Sequence, residues 1–338
     1  MKAYRLHAVN DLRYDTIDIP ALPDKDWCIV KVHAAGICSS DIPRIFTKGT
    51  YYFPTIPGHE FSGEVYSVGK ESDERLIGKH VGVFPLIPCR HCEQCEKGNY
   101  EMCAHYNYLG SRCDGGFAEY VAVPIWNLVE LPESVTYEQS AMLEPLSVAF
   151  HAITQGNLTS GMNVAIVGTG MIGISAGLWA KKTDAADIHV IGRSEKKRNL
   201  VENTGLDYID SSKEELGEYD FVLEAVGTPQ SINQAINIVK PGSTVILMGN
   251  PSGDITLSQD IYWRILRKQL TVKGTWNSKY DGHNYSDWTI AVAAIANNEI
   301  DVTKLISHRF KQDNLKDGLS LMHEHREPYC KVMTFWNE

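Results

Sequence analysis

No run of apolar residues in the chain approaches the roughly 20 that a membrane-spanning helix needs, so no helical span is expected. The opening stretch MKAYRLHAVNDLRYD carries charges at Lys2, Arg5, Asp11 and Arg13 and lacks an apolar segment of signal-peptide length, which makes a cytoplasmic location the expectation. Positive charge is in deficit. Lys and Arg total 32 against 42 Asp and Glu, a net charge of −10 that repels a phosphate backbone and argues against a nucleic-acid partner. Internal repeats and low-complexity tracts are missing, and with 43% apolar and 22% charged residues the composition excludes a disordered chain. Cysteine is sparse except in one place. Cys28, Cys38, Cys113 and Cys330 are scattered, whereas Cys89, Cys92, Cys95 and Cys103 sit together, which in a reduced compartment points to metal rather than to disulfides.

The 338 residues are enough for two domains. Up to about Pro132 short β-type segments are broken by Gly and Pro: Cys28–Val32, Phe61–Val68, His80–Phe84, Phe117–Val123 and Leu128–Leu131. From about Pro145 strands alternate with helix-length amphipathic stretches: Asn163–Val167, helix Met171–Lys182, Ile188–Ile191, helix Glu195–Asn203, Phe221–Ala225, helix Gln230–Val239 and Thr244–Met248. That alternation implies right-handed βαβ units on a parallel sheet, an α/β fold. After Leu270–Gly274 it stops, leaving a helix at Ser286–Asn298 and strands at Leu305–Phe310 and Val332–Phe335 as a third unit or a return to the first. Boundaries are expected at Pro145 and within Trp276–Asn284.

The cluster reads C-x2-C-x2-C-x7-C in a loop with Pro85, Pro88 and Gly98. Four thiolates at such spacing close a tetrahedron around one zinc and leave no position for water, so the site is structural; iron–sulfur ligation is the weaker alternative. Upstream, Cys38 and the block Gly58-His59-Glu60 supply a thiolate, an imidazole and a carboxylate. Three protein ligands leave one position open, as a Lewis-acid site acting on an alcohol oxygen requires. Two zinc ions per chain are therefore expected, one structural and one catalytic. Glu144, in Leu143-Glu144-Pro145, is a further candidate ligand, or else an acid at a helix N-terminus. Asp41 is expected to orient His59, and Ser40 to pass the alcohol proton outward unless it is an ordinary turn hydroxyl.

Val164-Ala165-Ile166-Val167 runs into Gly168-Thr169-Gly170-Met171-Ile172-Gly173, a G-x-G-x-x-G directly after a strand and opening a helix. Gly168 suits the tight turn, Gly170 the approach of a pyrophosphate to the helix N-terminus beside Met171 and Ile172, and Gly173 close helix–strand packing. An acid that would bind the ribose 2′-hydroxyl of NAD belongs at the end of the next strand, about 20 residues on. Gly192 stands there, followed by Arg193 and Ser194 and then Lys196, Lys197 and Arg198. Loss of the carboxylate removes repulsion toward a 2′-phosphate and Arg193 can pair with it, so NADP is expected over NAD, with Ser194 and Arg198 as further cofactor-binding candidates and the Lys196–Arg198 run at least partly a solvated helix face.

Together, Gly58-His59-Glu60, the four-cysteine lobe, Glu144-Pro145 and the glycine loop resemble the zinc-containing medium-chain dehydrogenases over essentially the whole chain. The resemblance implies a GroES-like, mostly β catalytic domain at 1–145 with its zinc lobe at 85–105. It implies a Rossmann doubly wound parallel-sheet domain at 146–275, a return to the catalytic domain at 276–338, and an active site in the cleft between the domains. It matches Cys38, His59 and either Glu60 or Glu144 to the catalytic zinc, and it implies a homodimer or homotetramer paired through Rossmann domains.

Within that family Ser40–Phe46, His59–Gly63, Gly110–Phe117 and Arg264–Lys268 look most like the galactitol-1-phosphate 5-dehydrogenase branch, with the sorbitol (L-iditol) 2-dehydrogenases next through Glu144–Val148. The chain departs from the family at Ser39, which replaces the glycine common after the zinc cysteine, and at Gly192. The expected function is hydride transfer between NAD(P) and a secondary alcohol of a polyol or polyol phosphate, giving the ketose. For a phosphorylated substrate, Arg44, Lys48 and Arg112 are the candidate cations by position. Zinc-free quinone reductases of this architecture need neither metal set, and a non-enzymatic zinc-stabilised nucleotide binder would need the open site to be dead.

Overall fold

A computed structural model describes residues 1–69, 72–282 and 285–337. Of the expected boundary stretch Trp276–Asn284, His283 and Asn284 lie outside the described residues. The chain divides into two compact units, one of residues 1–144 with 279–338 and one of residues 145–278.

In the first unit the order of a seven-stranded sheet begins Ile306–Lys311, Lys331–Phe335, Trp27–Ile37, Glu60–Val68, His80–Val83, Leu128–Glu130; the seventh strand, Tyr120–Pro124, also pairs with Trp27–Ile37. The central strand, WCIVKVHAAGI, is buried along most of both faces, as an almost uninterrupted apolar run requires. It is longer than the Cys28–Val32 expected, because Ala34, Ala35 and Gly36 carry little strand propensity of their own and are held by two neighbours. Gly36 faces Glu60 on one side and Met333 on the other, so the last strand joins the sheet of the first domain. The helix Leu315–His323, unanticipated from the sequence, packs over this edge: a Cβ on Gly318 would lie 3.0 Å from both Ile37 and Val332.

The second unit is a six-stranded parallel sheet. Numbered along the chain as Asn163–Val167, Asp187–Gly192, Asp207–Asp210, Tyr219–Glu224, Val239–Leu247 and Thr271–Gly274, its strands lie in the order 3-2-1-4-5-6. This is the doubly wound order whose switch point falls at the first strand, where dinucleotides bind. Ala165, Val167, Ile191, Val222 and Val245 form its core with Ala235 and Ile238 of the helix Pro229–Ile238. The expected Glu195–Asn203 helix is instead a single 3₁₀ turn, Glu195–Lys197, leading into Arg198–Glu202. The helix Gln259–Arg267, capped by Ser258, is absent from the sequence reading although its pattern is legible: Ile261 and Ile265 pack inward one turn apart while the rest of the helix is largely exposed. No helix among the described residues is long and apolar enough to cross a membrane.

Candidate active site

The sheet itself assembles the first metal-binding group. Cys38 follows the end of the central strand, while Glu60 opens the strand on one side and Lys331 the strand on the other. His59 is delivered by the turn at Gly58, whose φ of +92° suits glycine and whose added Cβ would lie 2.5 Å from the Phe117 ring. Ligand atoms of Cys38, His59 and Glu60 lie within 4.8 Å of one another. A thiolate, an imidazole and a carboxylate converging in this way fit a zinc ion with one position left open.

Asp41 is fully buried and accepts the Cys38 backbone N–H at 3.0 Å and an Arg44 N–H at 2.8 Å. It lies 3.5 Å from His59 Nδ1, an electrostatic contact longer than a good hydrogen bond. Burial alone would raise the Asp41 carboxyl, but His59, Arg44 and the Cys38 N–H outweigh it and keep it ionised. The Nδ1 edge of His59 thus faces a carboxylate, which leaves Nε2 for the metal.

Two side chains that the sequence reading missed complete this group. Lys331, 2% exposed, forms an ion pair with Glu60, and a Cβ on Gly36 would stand 2.4 Å from Glu60 Oε2, so the glycine makes room for the carboxylate. Burial works against the Lys331 ammonium, but Glu60 and Cys38 outweigh it and keep it charged. Tyr108 donates a hydrogen bond to Glu144 Oε1 at 3.2 Å, with its ring 5.6 Å from that of His59. Glu144 lies outside the three-residue ligand group, and burial pushes its carboxyl up to about 7, with Glu60 adding to the rise and His59 opposing it. A lone lysine in the apolar run Cys330-Lys331-Val332-Met333 was the available signal for a buried charge with a distant partner.

Of the other sequence candidates, the half-buried Ser40 makes no hydrogen bond through its hydroxyl among the described residues. Arg44 is committed to Asp41. The Arg112 guanidinium stacks between Tyr51 and Tyr106, 4.4 and 4.3 Å from the ring centres, and donates to Tyr51 Oη and the Tyr106 carbonyl. Lys48 is exposed and forms no ion pair among the described residues.

The four-cysteine group has the dimensions of a metal site. All four sulfurs lie within 4.8 Å of one another, with Cys89–Cys95 and Cys92–Cys103 at 3.9 Å. A tetrahedron with zinc–sulfur bonds of about 2.3 Å has edges of about 3.8 Å, so the sulfurs fit the ion. Backbone N–H groups of Cys95 and Ala104 lower the Cys92 thiol to about 6, which favours the thiolate that ligates.

The glycine loop of the second unit gives each glycine a separate reason. Gly168 has φ +129°; Gly170 has open space where a Cβ would be; a Cβ on Gly173 would lie 2.0 Å from the Gly168 carbonyl, so only glycine lets the helix Met171–Lys182 approach the loop. Gly170 caps that helix without a side chain, leaving the amides of Met171 and Ile172 at its positive end.

Family models for the alcohol dehydrogenase GroES-like domain and for zinc-binding dehydrogenases match residues 24–133 and 171–297. The chain is 35% identical to galactitol 1-phosphate 5-dehydrogenase of Escherichia coli K12 over 86% of its own length and 87% of the relative's. The chain belongs to the zinc-binding medium-chain dehydrogenases. It is also 27% identical to sorbitol dehydrogenase of Bacillus subtilis, over 100% and 98% of the two chains. A crystal structure of galactitol-1-phosphate dehydrogenase from E. coli superposes with a TM-score of 0.90 at 33% identity, covering 99% of this chain and 100% of that one. As a member of this family the protein is an NAD(P)-dependent oxidoreductase with a GroES-like and a Rossmann-type domain. Its four-cysteine lobe is the structural zinc site, and the group of Cys38, His59 and Glu60 is the catalytic one.

Proposed function

We propose that this medium-chain dehydrogenase oxidises a secondary alcohol of a polyol phosphate to the ketose phosphate with NADP, reversibly. The convergence of Cys38, His59 and Glu60 carries the reading, and likeness to a galactitol 1-phosphate and a sorbitol dehydrogenase supports the polyol class. When bound, zinc supplies Lewis acidity toward the substrate oxygen and the nicotinamide supplies hydride exchange. The protein's part is to hold the reactants and to move the proton that leaves with the hydride. Ser40, two residues from Cys38 and with an uncommitted hydroxyl, is placed to relay that proton outward. Glu144, held by Tyr108, gives the site a second carboxylate that need not ligate. The first-turn amides of Met171 and Ile172 receive the pyrophosphate, and Arg193, exposed and unpaired among the described residues, receives the 2′-phosphate.

For the substrate phosphate, Lys48 is the candidate that needs to give up no existing partner, whereas Arg44 and Arg112 are engaged. Neutral polyols form the second reading, on the likeness to sorbitol dehydrogenase. Galactitol 1-phosphate, galactitol and sorbitol assayed side by side with either cofactor test both. A kcat/KM for the phosphate ester at least tenfold above the neutral polyols supports the first reading, and equal turnover removes the phosphate from it. A homodimer or homotetramer is part of the proposal, since the edge strand Thr271–Gly274 is exposed, as are Tyr262, Trp263 and Leu266 of the helix before it. Sedimentation checks it. Eight free cysteines accord with a cytoplasmic location.

A further inference from the structure

We infer that Tyr208 determines the cofactor: it bars a carboxylate from position 192 and fixes the loop that presents Arg193. This rests on the NADP reading above and assigns the cause of the missing acid. Gly192 has no positive φ, so backbone freedom does not explain the glycine. Space does. A Cβ there would lie 2.6 Å from Tyr208 Oη, 2.7 Å from its Cε2 and 2.9 Å from Thr169 Cγ2 of the glycine loop.

Tyr208 cannot easily move aside. It is 4% exposed, its hydroxyl donates to the Ser194 carbonyl at 2.7 Å and accepts the Ser194 N–H at 3.2 Å, and the Arg198 guanidinium covers its ring at 4.8 Å. An aspartate at 192 would therefore have to break both bonds to Ser194, the residue next to Arg193, before it reached a ribose. The nearest carboxylate by register is Asp210, opposite Gly192, and it is already engaged: buried, it accepts from Ser212 N and Oγ at 3.0 and 2.6 Å and lies 3.6 Å from Lys213 Nζ.

The same tyrosine sorts the cations. Arg198, held over the ring, is neutralised by Glu195, Glu202 and Glu214, so it brings little free charge to a phosphate. Arg193 keeps its whole fork for that task, and the two hydrogen bonds at Ser194 fix the backbone that aims it. Tyr208 is thus a positioning residue for specificity, acting through Gly192 and Ser194.

Calorimetric Kd values for NADP, NAD and 2′,5′-ADP, a fragment without nicotinamide, test the inference on wild type, Y208F, G192D and G192D/Y208A. Y208F keeps the ring and loses both bonds to Ser194; it is expected to weaken NADP and 2′,5′-ADP several-fold and NAD hardly at all. G192D alone is expected to bind NAD poorly, and G192D/Y208A to bind it at least tenfold more tightly than G192D. Equal NAD affinity with and without Y208A would overturn the inference. Tighter binding of NAD than NADP by the wild type would instead remove the cofactor reading, while the G192D comparison still judges Tyr208. Should G192D not fold, G192A with and without Y208A poses the same steric question.

Discussion

Tyr108 Oη donates to Glu144 Oε1 across 3.2 Å, joining a short strand of the catalytic domain to the residue where that domain ends. Glu144 is buried and Tyr108 half-buried beside the Cys38–His59–Glu60 group, and no other hydrogen bond to the Glu144 carboxylate is found among the described residues. Y108F leaves the ring beside His59 but strips Glu144 of its donor. An unsatisfied buried carboxylate costs about 1–3 kcal/mol, so kcat/KM is expected to fall about tenfold or more with zinc content and circular dichroism unchanged. Steady-state kinetics on the polyol phosphate decide it, and undiminished kcat/KM would show that Glu144 needs no such holding.

Lys331 and Glu60 form a buried ion pair between strands on either side of the central one. Removing one member leaves the other charge uncompensated, at a cost of about 3–5 kcal/mol. K331M should show that loss in urea unfolding of the metal-free protein, where no zinc offsets the Glu60 charge, whereas K331R, which keeps the charge, should recover much of it. A wild-type unfolding midpoint in K331M would mean that Glu60 is satisfied elsewhere.

These residues mark where the sequence stops being legible. The glycine loop and the cysteine lobe are readable because their chemistry is local: Gly168, Gly170 and Gly173 act within one turn, and Cys89 to Cys103 within one loop. The alternation of strands and helices after Pro145 likewise announces the parallel sheet. Lys331 and Glu60, by contrast, are 271 residues apart, and only the pairing of Lys331–Phe335 with Trp27–Ile37 joins them. Arg198 looks like a phosphate cation when read beside Lys196 and Lys197, yet Glu195, Glu202 and Glu214 surround it once the turn and the neighbouring strand are in place. Gly192 is readable as a missing acid, but its cause, a tyrosine on the adjacent strand, is not.

The thiols should divide under alkylation. Burial pushes Cys28 and Cys113 up to about 12, which leaves on the order of one thiolate in ten thousand at pH 8. The four lobe cysteines and Cys38 should be protected by metal and become reactive on chelation, while Cys28 and Cys113 stay unlabelled as long as the fold persists. Iodoacetamide labelling read by peptide mass spectrometry, before and after chelator treatment, checks this. Chelation that frees no lobe thiol would argue against metal in the lobe, and activity should be lost as Cys38 becomes reactive.

Asp220 supplies a pH-dependent share of the Rossmann domain's stability. It takes a hydrogen bond from Lys240 Nζ at 2.8 Å and another from the Asn163 N–H at 2.9 Å, and these lower its pKa below the ordinary carboxylate value. Because the folded-state pKa lies below the unfolded one, of about 3.9, this stability is fully present above that value and is lost as pH falls through the folded pKa. D220N should therefore unfold at lower urea concentration than wild type from pH 8 down to pH 5, by about 1 kcal/mol, since the pair is partly solvated. Below about pH 4 protonation of Asp220 removes the same charge that the substitution removes, and the gap should narrow. A gap constant from pH 7 down to pH 3 would show that the substitution acts through packing at the start of the Asn163 strand and not through the ion pair.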